Sequence, residues 1–231
     1  MKSYSILLIT VLLLLFSCSS NTNSETFIHK TSGRYLYNSD KVITIYFEKK
    51  ELHMKWLGSK HIKPLKLSEN IFFVKEMNEK IEFLTNPEDN KEYIVLVPKE
   101  KNAKKIFNYR KLDANEKTAK EYLENNEFNN ALTEYLKIKT KDSLDIAIKE
   151  NNFNSLGYKA LRNKNYAKSI NIFTLNTKLY PNSANVYDSL GEAYMKSGDT
   201  INAILNYKKS LALDSGNQRA KNILKKINKK K

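Results

Sequence analysis

Serine and histidine are the residues from which catalysis would be expected in this sequence, but neither type stands in a catalytic pattern. A serine nucleophile needs a nearby base, as in Ser-x-x-Lys, and Ser155 with Lys159 is one residue too long. No Gly-x-Ser-x-Gly motif occurs. His29, His53 and His61 all lie in the first half of the chain, and no carboxylate stands at a ligand-like spacing from them. The sequence therefore predicts no catalytic residue, no metal site and no cofactor, and the protein is predicted not to be an enzyme.

A repeat dominates the second half of the chain. Leu156-Gly157 recurs as Leu190-Gly191, and Phe173 recurs as Tyr207, each 34 residues later. A small residue in a first helix and an aromatic residue in a second helix, at this period, are typical of stacked helix–turn–helix units. Pro181 predicts that the first unit ends near residue 180, because proline cannot continue a helix. We therefore expect a helical solenoid.

These repeated positions resemble the tetratricopeptide repeat. The second copy carries Tyr194 and Ala203, whereas the first copy has Ala160 and Ser169 at the equivalent positions. The resemblance implies antiparallel helix pairs whose first helices line a concave face that holds peptides. Mapped onto this sequence, the candidate peptide-binding groove comprises Asn151, Asn154, Tyr158 and Arg162 in one repeat, and Asn185, Asp188, Glu192 and Lys196 in the next.

The repeat domain is predicted to extend over residues 111–231. Residues 112–149 show helical spacing of apolar side chains. Aligning Phe128 with Tyr166 needs an offset of 38, which predicts a degenerate unit with extra residues near Thr140. The C-terminal stretch from residue 217 to 229 has one apolar face and is predicted to be the capping helix that the end of a solenoid requires.

In residues 26–110 the period changes to two. Residues 42–47 are β-branched or aromatic, and Leu52, Met54 and Trp56 alternate with polar neighbours. Short strands at intervals of about ten residues predict a small antiparallel β sandwich or half-open barrel. The fold class is therefore α+β with more than one domain. Further strands are predicted at residues 63–67, 71–74, 80–84, 93–97 and 106–109.

Short motifs within this β segment give a second resemblance. Gly33-Arg34-Tyr35 opens the first predicted strand, Ile71-Phe72-Phe73 precedes a turn, and Ile81-Glu82-Phe83 leads to the strand at residues 93–97. Together they resemble the small module that follows serine-hydrolase (β-lactamase-like) cores in exported bacterial proteins. This resemblance implies that the chain is an accessory portion whose catalytic core is elsewhere.

The N-terminus carries an export pattern. Lys2 precedes an apolar run over residues 6–16, which is shorter than the roughly 20 residues of a membrane-spanning helix and fits a signal peptide. Leu15-Phe16-Ser17-Cys18 resembles the lipobox of bacterial lipoproteins, and Cys18 is the only cysteine. The resemblance implies a signal peptide over residues 1–17 and a lipid on the Cys18 thiol. With Ser19 next, it also implies delivery to the outer membrane. Residues 18–25 are predicted to be a polar tether.

The formal net charge of +15 raises the question of a nucleic-acid partner. The lysines are spread along the chain rather than massed, and export would remove the protein from the cytoplasm. We therefore predict no nucleic-acid partner, and expect a solvated lysine surface with weak attraction to anionic lipid headgroups or polysaccharide.

These patterns predict a non-enzymatic, lipid-anchored envelope protein that faces the periplasm or the cell surface. Its repeats would dock another envelope protein or a peptide segment. One alternative is an accessory or regulatory subunit of a separate serine hydrolase. Another is a lipid- or glycan-binding β module, in which Trp56 and Tyr46 would line a pocket and the helices would act as a spacer.

Overall fold

A computed structural model describes residues 21–100 and 103–229 of the chain. Cys18 and the predicted signal peptide lie outside these residues. The described chain starts with helix α1 and continues as an antiparallel β domain. The elements are α1 Glu25–Thr31, β1 Gly33–Leu36, β2 Val42–Glu48, β3 Glu51–Trp56, β4 Ser59–Ile62, β5 Leu65–Lys66, β6 Ile71–Val74, β7 Glu79–Thr85, β8 Glu92–Leu96 and β9 Tyr109–Arg110.

The described part of the predicted tether is held against the β domain. Both the backbone N and the Nδ2 of Asn23 donate to the Lys50 carbonyl, at 2.8 and 2.9 Å. Ser24 caps α1, its Oγ accepting a hydrogen bond from the Phe27 backbone N–H. Phe27 then packs on the aromatic core of the β domain, 5.8 Å from Phe72 between ring centroids. The β domain therefore begins with an ordered helix, which the alternating pattern of the sequence does not predict.

Among the described residues, two antiparallel sheets share one core. Strands β1 to β4 form one sheet in sequence order and β5 to β9 form the other. An isolated bridge between Tyr35 and Lys111 joins the sheets along one side, where β1 lies beside β9. The two antiparallel sheets agree with the α+β fold class expected from the sequence. The inward side chains include Tyr35, Ile43, Ile45, Leu52, Met54, Phe72, Val74, Ile81 and Ile94.

Two predicted strands differ from the structure. The strand expected over residues 63–67 is reduced to β5, because the imide nitrogen of Pro64 has no N–H to give to a ladder. The strand expected over residues 106–109 is reduced to β9, and residues 103–108 cross the second sheet without pairing as a strand. On this crossing, Lys105 forms a 2.6 Å ion pair with the buried carboxylate of Glu82.

The helical part begins at Ala119, later than the sequence predicts. Residues 112–118 are not helical, since the Leu112 N–H continues the ladder by donating to the Arg34 carbonyl at 2.7 Å. Thr118 then caps the first helix in a capping box with Glu121. In the described part of the chain no helix is long and apolar enough to cross a bilayer. The helices are α2 Ala119–Glu124, α3 Phe128–Lys141, α4 Glu150–Arg162, α5 Tyr166–Leu179, α6 Ala184–Ser197, α7 Thr200–Leu213 and α8 Gln218–Asn228.

The repeated glycines allow close helix contact, as predicted. A Cβ placed on Gly157 would lie 2.5 Å from the ring of Phe173, and one on Gly191 would lie 3.1 Å from the ring of Tyr207. The degenerate unit is also present: α3 and α5 begin 38 residues apart. The extra residues lie in the α3–α4 connection, residues 142–149, which includes a 3-10 turn over Ile146–Ile148. Residues 119–228 thus form a helical repeat region.

Several side-chain contacts join the two parts of the molecule. Arg34 of β1 donates to the Glu116 carbonyl at 2.9 Å and pairs with the Glu121 carboxylate of α2. Ser39, in the β1–β2 turn, donates to the carboxylate of Asp145, in the α3–α4 connection. The β domain therefore contacts the start of the repeat region and its inserted loop.

Candidate functional site

The candidate groove lies on the first helices of the repeat units. Helices α4 and α6 contact each other directly, and α8 follows α7 as the first helix of a further unit would. The 34-residue spacing places Asn151, Asn185 and Arg219 at one equivalent level of these three helices. The eight predicted groove residues therefore share the α4–α6 surface, and α8 continues it.

Tyr158 joins the two predicted halves of the groove. Its hydroxyl lies 3.3 Å from Ser189 Oγ and 3.1 Å from Glu192 Oε2, so α4 is hydrogen-bonded to α6. Its ring packs edge-on against Phe173 with 5.1 Å between centroids. Burial is the largest cause that raises the pKa of Tyr158 above its ordinary value, so the phenol stays protonated at neutral pH and remains a donor.

Arg219 of α8 closes one end of this polar surface. Its guanidinium pairs with the carboxylates of Asp188 and Glu192 on α6. Asp188 is buried and also accepts from Asn217 Nδ2 at 3.2 Å. Because the guanidinium fork can bind two carboxylates at once, Arg219 pairs with both acidic groove residues, and the cluster keeps a net negative charge. The predicted groove lacks Arg219, because the sequence predicts α8 only as a cap. The 34-residue offset from Asn185 is the signal that identifies this position.

The other predicted groove residues are not drawn into this cluster. Asn151, Arg162 and Lys196 are exposed. Asn185 donates to Glu150 Oε1 at 2.8 Å. The Oδ1 atom of Asn154 is buried and has no hydrogen-bond partner among the residues that the structure describes. The surface therefore combines a paired acidic centre, provided by Asp188 and Glu192 with Arg219, and exposed polar and basic side chains at either side.

A second concave feature lies where the β domain meets the helices. A cleft of about 330 Å³ is lined by the β1–β2 turn, α2, α4 and the 3-10 turn. Leu123, Phe153 and Leu156 give it an apolar wall, and Asp40 and Lys120 lie at its polar side. Burial is the largest cause that raises the pKa of the Asp40 carboxyl. The sequence could not predict this cleft, because it exists only where distant segments come together.

Tyr46 and Trp56, which the sequence suggests as the lining of a β-domain pocket, lie on opposite faces of the first sheet. Tyr46 lies on the outer face, where its hydroxyl is 3.0 Å from His61 Nδ1 and its ring stacks on His53. Trp56 packs against the core with Tyr37, on the opposite face of the sheet. Trp56 and Tyr46 therefore do not line one pocket, because inward and outward positions alternate along β2 and β3. Within residues 21–100 and 103–229, no cluster of three metal-ligating side chains occurs.

Comparison with solved structures gives similarity to helical-repeat domains. No protein-family model matches the sequence, and no curated protein matches it. The first TPR of Spaghetti (RPAP3), bound to the HSP90 peptide SRMEEVD, is 21% identical over 48% of this chain and 85% of that chain, with a TM-score of 0.34. The Arabidopsis OM64 TPR domain is 14% identical over 49% of this chain and 90% of that chain, with a TM-score of 0.35.

MamA is a further similar structure. It is 22% identical over 44% of this chain, with a TM-score of 0.31, and the chain spans 57% of the length of MamA. These alignments cover half of this chain or less. The description of residues 119–228 as a helical repeat rests on the 34-residue register of its own helices and on the close contacts at Gly157 and Gly191.

Proposed function

We propose that this protein is a non-enzymatic, lipid-anchored envelope protein whose helical repeats dock a segment of another envelope protein. The observation that carries the proposal is the continuous polar surface of α4, α6 and α8. Its centre is fixed by Tyr158, Glu192 and Arg219, while Arg162 and Lys196 stay exposed beside it. A surface with a rigid centre and exposed donors can hydrogen-bond an extended peptide backbone at little entropic cost.

Exposed cations give the groove a preference among peptides. Both carboxylates of the acidic centre are already paired with Arg219, whereas Arg162 and Lys196 are exposed. A docked segment would therefore pair its carboxylates with Arg162 and Lys196. The proposed partner is a protein segment that carries acidic side chains or a free carboxyl end.

The test is chemical crosslinking in envelope membranes followed by recovery of the full-length protein with its partners. The groove variant is Arg162→Glu with Lys196→Glu. The matched control is Lys178→Glu with Lys208→Glu, which reverses two exposed charges on the second helices α5 and α7. We expect one partner to be recovered with the wild type and the control, and its yield to fall at least about tenfold with the groove variant. Equal recovery with both variants would remove the docking role from this face.

The lipid anchor is a separate part of the proposal. It rests on the lipobox-like Leu15-Phe16-Ser17-Cys18 sequence. Growth with labelled palmitate should give a labelled protein, and the label should be absent from Cys18→Ala. Labelling that persists in Cys18→Ala would contradict an anchor at this thiol.

A further inference from the structure

The outer face of the second sheet is apolar at its free edge. Leu65 of the edge strand β5 is 57% exposed and Leu67, two residues on, is 46% exposed. The pairing of Leu65 with Phe73 places Phe73 on the same outer face, and Ile71 follows with the same alternation along β6. An antiparallel sheet normally shows polar side chains on its outer face, so a contiguous apolar edge indicates a contact surface. This apolar surface, the β5 edge, consists of Leu65, Leu67, Ile71 and Phe73.

The N-terminal segment joins the β domain beside this edge. Lys66 Nζ donates to the Thr22 carbonyl at 2.6 Å. Asn21 lines one surface cleft together with Lys63 and Leu65. Cys18 is three residues before Asn21, and three residues span at most about 10 Å. If Cys18 carries a lipid, as proposed above, the bilayer surface lies within about that distance of the β5 edge.

Lysines surround the entry point of the chain. Lys50 and Lys63 keep exposed side chains, although each is within 3.0 Å of a carboxylate, Glu25 and Glu51 respectively. Lys49 is exposed in the same turn as Lys50. Lysines that flank exposed leucines suit the boundary between water and lipid, where the aliphatic stem lies on apolar chains and the ammonium group reaches the phosphates.

We infer that the β5 edge is a membrane-contact surface, on which Leu65 and Leu67 enter the headgroup region of an anionic bilayer. The neighbouring lysines bind phosphate groups there. The inference rests on the proposed anchor for its geometry, but it adds a second attachment. It also fixes which side of the β domain faces the bilayer.

The experiment uses the chain from Ser19 to Lys231, which keeps every described residue and lacks Cys18. Its partition onto phosphatidylethanolamine–phosphatidylglycerol vesicles is measured by co-sedimentation. We expect Leu65→Ser with Leu67→Ser to lower the partition coefficient on the order of tenfold. The matched control is Ile201→Ser with Leu205→Ser, which removes two apolar side chains of α7 that are 75% and 58% exposed. The control should keep the wild-type partition within about twofold.

Three results would overturn the inference. The first is that the wild-type chain does not sediment with vesicles. The second is that the two double variants lose binding equally. The third is that the wild-type chain is a dimer in sedimentation velocity without vesicles and that only Leu65→Ser with Leu67→Ser dissociates it, since the edge would then bind a second copy. Circular dichroism of each variant verifies folding. Because this chain lacks Cys18, a failure of palmitate labelling and a failure of vesicle binding are independent results.

Discussion

At the scale of single residues, the contact between Gly157 and Phe173 explains why the repeat needs glycine. The ring of Phe173 is fully buried and lies where a Cβ on residue 157 would have to be, at 2.5 Å. Gly191 faces Tyr207 at 3.1 Å, which is tight but within reach of a small shift. The two equivalent glycines therefore differ in how much a methyl group would cost.

Gly157→Ala should lower the free energy of unfolding by about 2 kcal/mol, because a buried ring must move in a well-packed core. Gly191→Ala should change it by less than about 1 kcal/mol, since the helix propensity of alanine offsets the smaller overlap. Urea unfolding of both variants, followed by circular dichroism, measures the difference. A larger loss for Gly191→Ala would contradict this account of the packing.

Arg219 shows what the sequence reveals at single positions and what it does not. The register of 34 residues identifies the level of Asn151, Asn185 and Arg219. It does not reveal that the guanidinium of Arg219 pairs with both Asp188 and Glu192, because that depends on the tilt of α8 against α6. The sequence therefore locates the first helices of the repeats, while the pairing of Asp188 and Glu192 with Arg219 requires the structure.

At the scale of elements, the β2–β3 turn carries a measurable conformational cost. Lys49 and Lys50 have φ values of 49° and 65°, a left-handed conformation that disfavours lysine. Asparagine followed by glycine is the preferred pair for such a two-residue hairpin turn. The Lys50 carbonyl, which holds Asn23, belongs to the backbone and survives substitution.

Lys49→Asn with Lys50→Gly should therefore raise the free energy of unfolding by about 1 kcal/mol. The accompanying loss of the exposed Lys50–Glu25 ion pair should cost less than this gain. Lys55→Gly, in the middle of β3, should instead lower it by about 1 kcal/mol, because glycine weakens a strand interior. Thermal and urea unfolding compare the three proteins, and a destabilised turn variant would show that the lysines make contacts beyond the turn.

Elements with strong periodicity were predictable from the sequence. The register of α4 to α7 and the alternation along β2 and β3 follow from spacing alone. Helix α1 was missed because seven residues are too few for a helical period to stand out among strands. The helical prediction for residues 112–118 is wrong, because Leu112 continues the β ladder and residues 113–116 form a turn. The ladder partner of Leu112 is Arg34 on β1, far away in sequence, and no local pattern records that pairing.

At the scale of the whole molecule, the β domain and the repeats share an interface rather than a free linker. Arg34 reaches from β1 to Glu116 and Glu121, and Arg110 holds Glu116 from β9 at 3.0 Å. Hydrogen bonding to Arg110 is the largest cause that lowers the pKa of the Glu116 carboxyl. The contact region is therefore charged at neutral pH. Removal of Arg34 would take a hydrogen-bond donor from the partly buried Glu116 carbonyl and the ion-pair partner from Glu121.

This coupling predicts one cooperative unfolding transition. Trp56 is the only tryptophan and lies in the β domain, so its fluorescence follows that domain, while far-ultraviolet circular dichroism follows mainly the helices. The two signals should coincide in the wild type.

In Arg34→Ala the two signals should separate, and the free energy of unfolding of the less stable part should fall by about 2 kcal/mol. Lys137→Ala removes the exposed 2.7 Å pair with Glu134 inside α3 and should leave the signals coincident. Separate transitions in the wild type would mean that the two parts are not rigidly coupled. The orientation of the β domain at a membrane would then not determine the orientation of the groove.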